Sequence, residues 1–597
     1  MKQKIFVAWR YLQKFCLSWQ GQVITLLLLL TKILWGVWAW RDQTSGDTSS
    51  YFSQIAQHLN AGGLLSLVFS PLYLKYYSFF IYWFEDAFVA TLLHRVVLLI
   101  MLAVSVLLLS RALLPRAIAW LVAAWWVVLP INWNALYEVH LFGFLPLVLG
   151  SWMLAGRRRR FSLSVGLALV WTSALLVRNE FALSVALLAT CLVAREWWLW
   201  RKAGGSFAGM SRKIALLALP SLVVLGLSCV AFRNDWPGWK GLQGWFMART
   251  TLNMAQVYPF SYQQRHPEWK DDPWLQGGPL VKKQFGKAHI TFSDAFRRNR
   301  SAMMEHVLWH LQLLPAGLQL GMFNGHFGAL TPDFTPPRQL PVRAAVLSSL
   351  VLLVMAAGAF CMWKRRAFFK RFFCSRRGWA WLGLLCLLPP CAVAIATQRP
   401  RPSYIFPLTF FLMALTGLCL YAVLHRLNLW RGFQKVFPLI VAAVLLSAFS
   451  VESTAQLYTG QPMKEIYERV FQFREHLRGA RAVYASREFT WEVYGYINLT
   501  NRRKQHFYTL TWDSERTAAG FEATLNEKRV SLLYLGAYDF AEPAVQEWLR
   551  NDGAKHWNQL AADLQIEKPW ALLERKDEKP ASKPEDAEPK PDSPDNP

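Results

Sequence analysis

What most constrains this chain is the recurrence of apolar stretches too long and too sparsely charged to form the core of a water-soluble domain. Gly21 to Trp40 opens the series, with one lysine, Lys32, and no acid in its interior. About twenty such residues cross the hydrocarbon layer of a bilayer as a helix. Composition agrees: 54% of the 597 residues are hydrophobic and only 17% are charged, far from a soluble average. A cleaved signal peptide fits poorly, because no small-residue cleavage site follows and the next segment is polar. The candidate spans are 21–40, 92–110, 117–132, 141–155, 162–177, 182–196, 214–232, 344–363, 379–397, 405–424 and 436–450. The predicted fold class is therefore an α-helical polytopic membrane protein of about eleven transmembrane helices. Several of the early spans are short for a full crossing and require tilt, kinks or extension into their flanks.

Charge orients these spans. The formal charge of +27 is not a nucleic-acid footprint, because the basic residues fall in short clusters between apolar spans rather than on one soluble face. The clusters include Lys2, Lys4, Arg10 and Lys14; Arg111 and Arg116; Arg157 to Arg160; Arg201 to Lys213; Lys364 to Arg377; and Arg426 to Lys435. Placing all of them in the cytoplasm gives one self-consistent topology, with the N-terminus inside and the C-terminus outside. The 8 cysteines lie in or beside the spans and show no paired ligand spacing, so neither a disulfide scaffold nor a zinc site is expected. Cysteine-free exported segments and compact cytoplasmic loops suit a bacterial inner membrane.

Three segments face outward. Residues 41–91 mix polar positions with the aromatic stretch Tyr73 to Phe84, suited to the membrane interface. Residues 233–343 form a loop long enough to cover a cavity mouth, with helices expected near Thr251 to Val257 and Asp294 to Leu314. Residues 451–575 form a small C-terminal α/β extracytoplasmic domain, with a helix at Met463 to Arg478 and strands at 482–485, 506–510 and 530–535. Helices at 512–525 and 542–550 complete its pattern. The transmembrane module thus occupies 1–450, and the proline-rich stretch 576–597, which has no aromatic residue, is expected to be disordered. No GxxxxGK[ST] segment is present, which argues against an ATP-driven pump. Two sequons, at Asn299 and Asn498, face outward and matter only in a glycosylating secretory pathway.

Charged residues at the outer ends of the spans are the first places to seek chemistry. Asp47 follows Gly46, which permits a sharp turn, and precedes Thr48, Ser49 and Ser50; it is either a functional acid or a helix N-cap. Glu138 and His140 place an acid and an imidazole at the outer end of a span. They either bind a sugar hydroxyl or orient a base, or else pair with each other. Arg178 and Glu180 stand two residues apart in a tight outer turn and are close enough for a local ion pair. In Gln398-Arg399-Pro400-Arg401-Pro402-Ser403-Tyr404, two arginines stand outside against the positive-inside bias. Arginine's planar fork of donors suits phosphate, and anchoring to lipid headgroups is the alternative.

The order of these features resembles the start of the glycosyltransferase C superfamily, which includes protein mannosyltransferases and the lipid A aminoarabinose transferase. After the first span come Gly46-Asp47 and Tyr51, then Ser70-Pro71-Leu72-Tyr73, then a helix opening with Arg95. The likeness covers about the first two hundred residues and, more weakly, RPRPSYIFPL. The family's usual arginine-tyrosine pair near the third and fourth spans is replaced by Asn134-Ala135-Leu136-Tyr137-Glu138-Val139-His140. The resemblance implies transfer of a sugar from a polyprenyl-phosphate donor to a glycan, lipid or protein acceptor on the outer face. Asp47 would be general base, with Glu138, His140, Arg178, Glu180, Arg95, Arg399, Arg401 and Tyr404 as substrate contacts. It implies no redox cofactor, and a divalent metal would be optional. A flippase or transporter for a lipid-linked glycan, and a glycan polymerase or ligase relying on a loop histidine such as His266, His306, His310 or His326, remain competing readings.

Overall fold

A computed structural model describes residues 2–35, 55, 70–84, 87–133, 138–156, 159–204, 206–231, 251, 254–273, 276–331, 339–450, 482–485, 506–508, 517–551, 555–564 and 569–576. The chain divides into two compact units. One comprises Met1–Gln43, Leu64–Phe84 and Phe88–Gln461; the other comprises Thr44–Gly63, Glu85–Ala87 and Pro462–Pro597.

Among its described residues the first unit is helical, apart from turns and one isolated bridge between His326 and Gln339. Among the described residues seven helices are long and apolar enough to cross a membrane, and an eighth arises if Phe6–Leu17 and Trp19–Ile33, bent by 75° at Ser18, are one broken span. Three shorter apolar helices, Arg116–Val127, Glu138–Met153 and Arg160–Leu176, add to these. Where their residues are described, the candidate spans fall on helices or helix pairs; residues 36–40 of the first lie outside the described residues. The stretch 379–397 is broken into Arg376–Cys386 and Leu388–Thr397, since Pro389 and Pro390 remove two backbone donors. The stretch 117–132 ends as a helix at Val127, and the one-turn 3-10 segment Pro130–Trp133 follows. The bend at Ser18 is capped locally: its hydroxyl accepts from the Gly21 amide at 3.0 Å and donates to the Phe15 carbonyl at 2.7 Å.

Lipid is the natural solvent for this unit. Along Phe207–Ala231, Leu219, Leu222, Val223, Leu227 and Val230 are exposed, and along Pro341–Lys364 so are Val346, Leu350, Leu352, Leu353 and Phe360. Stripes of this extent are not left to water, so the unit is an integral membrane bundle. Within it, small residues bring backbones together. A Cβ on Gly358 would stand 2.4 Å from the Cα of Cys419, so the helices Pro341–Lys364 and Phe406–Arg426 approach as closely as they do only because Gly358 lacks one.

Outside the spans, the expected aromatic stretch is the helix Pro71–Trp83, which buries Tyr73, Leu74, Tyr77, Phe80 and Ile81 and exposes Phe79, Tyr82 and Trp83. Among its described residues the segment 233–343 contains helices at 254–265, Gly277–Phe285, Phe292–Arg298 and Arg300–Phe323. The first, third and fourth of these match the two helical stretches expected there. They share a core of Met254, Tyr258, Val281, Phe285, Ile290 and Ala295.

The second unit carries a five-stranded sheet. Its strands are β1 (Ala482–Ala485), β2 (His506–Tyr508), β3 (Leu532–Leu535), β4 (Trp557–Asp563) and β5 (Trp570–Arg575), in the order β2-β1-β3-β5-β4. β1 pairs in parallel with both β2 and β3, while β5 runs antiparallel to β3 and to β4. The β4–β5 hairpin is absent from the sequence reading, because Trp557-Asn-Gln-Leu-Ala-Ala-Asp lacks strict alternation and the pair shifts register between Gln559 and Ala561. Helices Ala518–Glu527 and Pro543–Arg550 match the two expected there, and Phe521, Leu525, Val545 and Trp548 pack with Tyr484, Leu533 and Leu535. Asp539 fastens this core: one carboxylate oxygen accepts from the Tyr484 hydroxyl at 2.9 Å, the other from the Gly536 amide at 2.9 Å. The helix expected at 463–478 lies outside the described residues, as does the tail from 577.

Candidate functional site

The bundle has two ends of opposite character. Helix Arg159–Leu176 starts at a basic cluster and leads to Arg178. Phe406–Arg426 starts beside Tyr404 and ends in a basic cluster, and Arg376–Cys386 with Leu388–Thr397 runs from Arg376 to Arg399. Glu138, His140, Arg178, Glu180, Arg399, Arg401 and Tyr404 therefore gather at the ends remote from the basic loops. Asp47 and Asn134 to Tyr137 lie outside the described residues.

Glu138, first residue of the helix Glu138–Met153, is buried in a cluster of its own. The Arg95 Nε donates to one of its carboxylate oxygens, and the Tyr73 hydroxyl donates to the other at 2.9 Å. His94 adds to the cluster: its Nδ1 lies 2.6 Å from the Thr91 carbonyl, which can only accept, so Nδ1 carries a proton. Tyr77 stacks on this imidazole at 3.8 Å and shares a 2.6 Å hydrogen bond with the Thr91 hydroxyl. Arg95 and Glu138 thus pair, and Glu138 and His140, although only two residues apart on the chain, point to different partners.

His140 belongs instead with Arg178. The guanidinium, which can only donate, places Nη1 3.0 Å from His140 Nε2, so that nitrogen is an acceptor. Nε of Arg178 donates to Glu180 at 2.6 Å, completing the local ion pair that their spacing suggested. Tyr404 lies edge-on to His140 at 5.0 Å and under the Arg178 guanidinium at 5.5 Å. Backbone ties hold this group in place: the Ser70 hydroxyl donates to the Val177 carbonyl at 2.8 Å, and Ser173 to that of Gly143 at 2.8 Å. His140, Arg178, Glu180, Ser403, Tyr404 and Phe144 line a hollow of about 10 Å³, the room of a single oxygen-sized group. The Ser403 hydroxyl is buried there with no hydrogen-bond partner among the described residues. Sequence reasoning passed over Ser403, although it lies inside the singled-out RPRPSY.

The turn carrying Arg399 and Arg401 is set by the helix Arg300–Phe323. A Cβ on Gly317 would lie 2.1 Å from the Pro400 carbonyl oxygen, so only glycine lets the turn seat there. Arg401 is buried, and Arg399 lies 6.0 Å from the Phe260 ring. The same helix carries His306 and His310 at i and i+4, both fully buried with rings 4.1 Å apart. His306 bonds the Ser261 hydroxyl at 2.6 Å and the Thr397 carbonyl at 3.2 Å, and burial pulls its imidazole down to about 4. Neither nitrogen of His310 has a partner among the described residues. Burial lowers its pKa as well, with His306, Arg399 and Arg265 adding to the effect, so both rings are neutral at pH 7. Among the described residues no three His, Cys, Asp or Glu side chains converge as a metal site.

No family model matches this sequence, and no curated protein matches it. Among solved structures, the archaeal oligosaccharyltransferase AglB from Archaeoglobus fulgidus, in complex with an inhibitory peptide and a dolichol-phosphate, is similar over 90% of this chain and 72% of its own, with 14% identity and a TM-score of 0.44. The apo form of the Archaeoglobus fulgidus oligosaccharyltransferase gives the same values. Its complex with zinc and sulfate gives 12% identity and a TM-score of 0.41, over 90% of this chain and 71% of its own.

Proposed function

We propose that this chain is a membrane glycosyltransferase that moves a sugar from a polyprenyl-phosphate donor to an acceptor on the face opposite its basic loops, with inversion. The observation that carries the reading is the meeting of Arg178, Ser403 and Tyr404 at one small buried hollow, in the same turn as Arg401, at the ends of the helices where positive charge is least expected. A hollow that admits one oxygen suits a phosphate oxygen rather than a sugar ring. Nucleotide sugars stay in the cytoplasm, so an outer-face transferase takes its donor from the lipid phase.

In this scheme Asp47 removes the proton of the acceptor hydroxyl, and that oxygen attacks the anomeric carbon from the side opposite the phosphate. The bond from that carbon to the phosphate oxygen breaks, and the polyprenyl phosphate departs with the electron pair. Arg178, Arg399 and Arg401 stabilise the charge gathering on it. Glu138, taken up by Arg95 and Tyr73, serves this site by holding helices Pro71–Trp83, Ala87–Leu113 and Glu138–Met153 together, while His140 fixes the orientation of Arg178. A divalent cation is an addition to this scheme rather than a requirement of it.

The test is incubation of the purified protein with polyprenyl-phosphate sugars and a panel of glycan, lipid and protein acceptors, with lipid and product read by mass spectrometry. Asp47→Asn should abolish transfer with folding and insertion intact; turnover by that variant removes the assignment. The buried pair His306 and His310 beside Arg399 favours, as a second reading, a glycan polymerase or ligase built around a loop histidine. Loss of activity on His306→Gln with survival on Asp47→Asn would select it. A flippase fits less well, since alternating access places its polar groups near the midplane.

A further inference from the structure

The opposite end of the bundle holds a second, larger hollow. It measures about 770 Å³ and is lined by Trp19, Trp152, Met153, Arg111, Arg376 and Arg377 together with Leu108 and Ala112. The volume lies in the range of ligand sites. Four helix ends build it: the starts of Trp19–Ile33 and Arg376–Cys386, and the ends of Ala87–Leu113 and Glu138–Met153. Arg111 is held in place, its guanidinium 5.3 Å from the Trp19 ring and donating to Gln22 at 3.0 Å, while Gln22 in turn donates to the Arg116 carbonyl at 2.9 Å. Arg377 is steadied over the Phe372 ring at 4.9 Å. Among the described residues none of these three arginines has a carboxylate within ion-pair distance.

We propose that this hollow binds the headgroup of an anionic glycerophospholipid in the leaflet on the basic side of the protein. The chemistry is complementary in both halves: three guanidiniums meet a phosphate, and Leu108, Ala112 and Met153 offer an apolar wall to the chain that follows it. A soluble anion would use only the first half. The site stands at the end of the bundle remote from Arg178, and its occupancy anchors four helix ends rather than taking part in transfer.

Native mass spectrometry of the full-length protein, delipidated in detergent and titrated with phosphatidylglycerol, phosphatidylcholine or inorganic phosphate, tests this. Wild type should retain phosphatidylglycerol roughly tenfold or more over phosphatidylcholine, and millimolar inorganic phosphate should not displace it. Equal retention of the two lipids overturns the proposal, and so does full displacement by inorganic phosphate. The triple substitution Arg111→Gln, Arg376→Gln and Arg377→Gln should erase the preference. Ala112→Trp, which sets an indole on the apolar wall of the hollow and leaves every charge in place, should lower the preference several-fold; a preference unchanged in both variants places the lipid elsewhere. The wild-type comparison decides even where a variant fails to insert.

Discussion

The clusters around Arg95 and Arg178 lie two residues apart on the chain, at Glu138 and His140, yet they are finished differently. In the first, both side chains of the ion pair are about 3% exposed, and both carboxylate oxygens of Glu138 are taken, by Arg95 and Tyr73. In the second, Arg178 is 10% and Glu180 28% exposed, and the neighbouring Ser403 hydroxyl is left over. A buried carboxylate whose two oxygens are both taken fixes geometry and leaves little to accept from a ligand. A pair with an open edge and a spare donor is where an incoming oxygen finds partners. The contrast motivates the proposal that Glu138 is scaffold and Arg178 a contact.

The sharpest way to break that division is at Glu138. Glu138→Ala removes the carboxylate to which a buried guanidinium donates and should cost about 3–5 kcal/mol, read as loss of thermal stability in detergent. The double replacement Arg95→Met with Glu138→Leu should recover most of it. If Glu138 touched substrate instead, the double variant would be stable and inactive. Arg178→Ala should act the other way round, lowering transfer by about 100-fold with little change in melting, and Arg178→Lys should restore only part, since a point charge does not replace the fork.

The outer-loop histidines supply a pH test of intermediate size. Because burial holds His306 down at about 4, the unfolded chain takes up its proton first as pH falls below its ordinary value. Stability therefore declines from about pH 6.5 toward 4, by roughly 2 kcal/mol at pH 5. Thermal shift at pH 7.5 and pH 5 should show the decline in wild type and a smaller one in His306→Gln. The smallest effect is expected at Ser70→Ala, which deletes the hydrogen bond to the Val177 carbonyl just before Arg178. It should cost about 1 kcal/mol, together with a rise in donor KM that a purely structural bond would not produce.

Legibility in the sequence followed the range of the forces involved. The helices were readable because apolar length and the alternation of basic clusters act locally, so the described parts of the candidate spans are helical. The Arg178–Glu180 pair was readable because two residues separate its members. The partner of Glu138 was not, because His140 was the near choice and Arg95, 43 residues away, was the better one. Tyr73 and His94 carried a faint signal, an aromatic and an imidazole beside the Pro-Leu-Tyr stretch and Arg95, but nothing local points them at one carboxylate. The β4–β5 hairpin escaped for a related reason: its order comes from pairing with β3 rather than from its own pattern.

By itself the sequence determined that this chain is a helical bundle in lipid, because hydrophobic length decides insertion segment by segment. Which polar side chains meet was decided only by tertiary structure. Buried groups must find partners wherever packing brings them, and here a missing Cβ at Gly317 seats the turn that carries Arg399 and Arg401, while the backbone tie from Ser70 holds the strand of chain that presents Arg178.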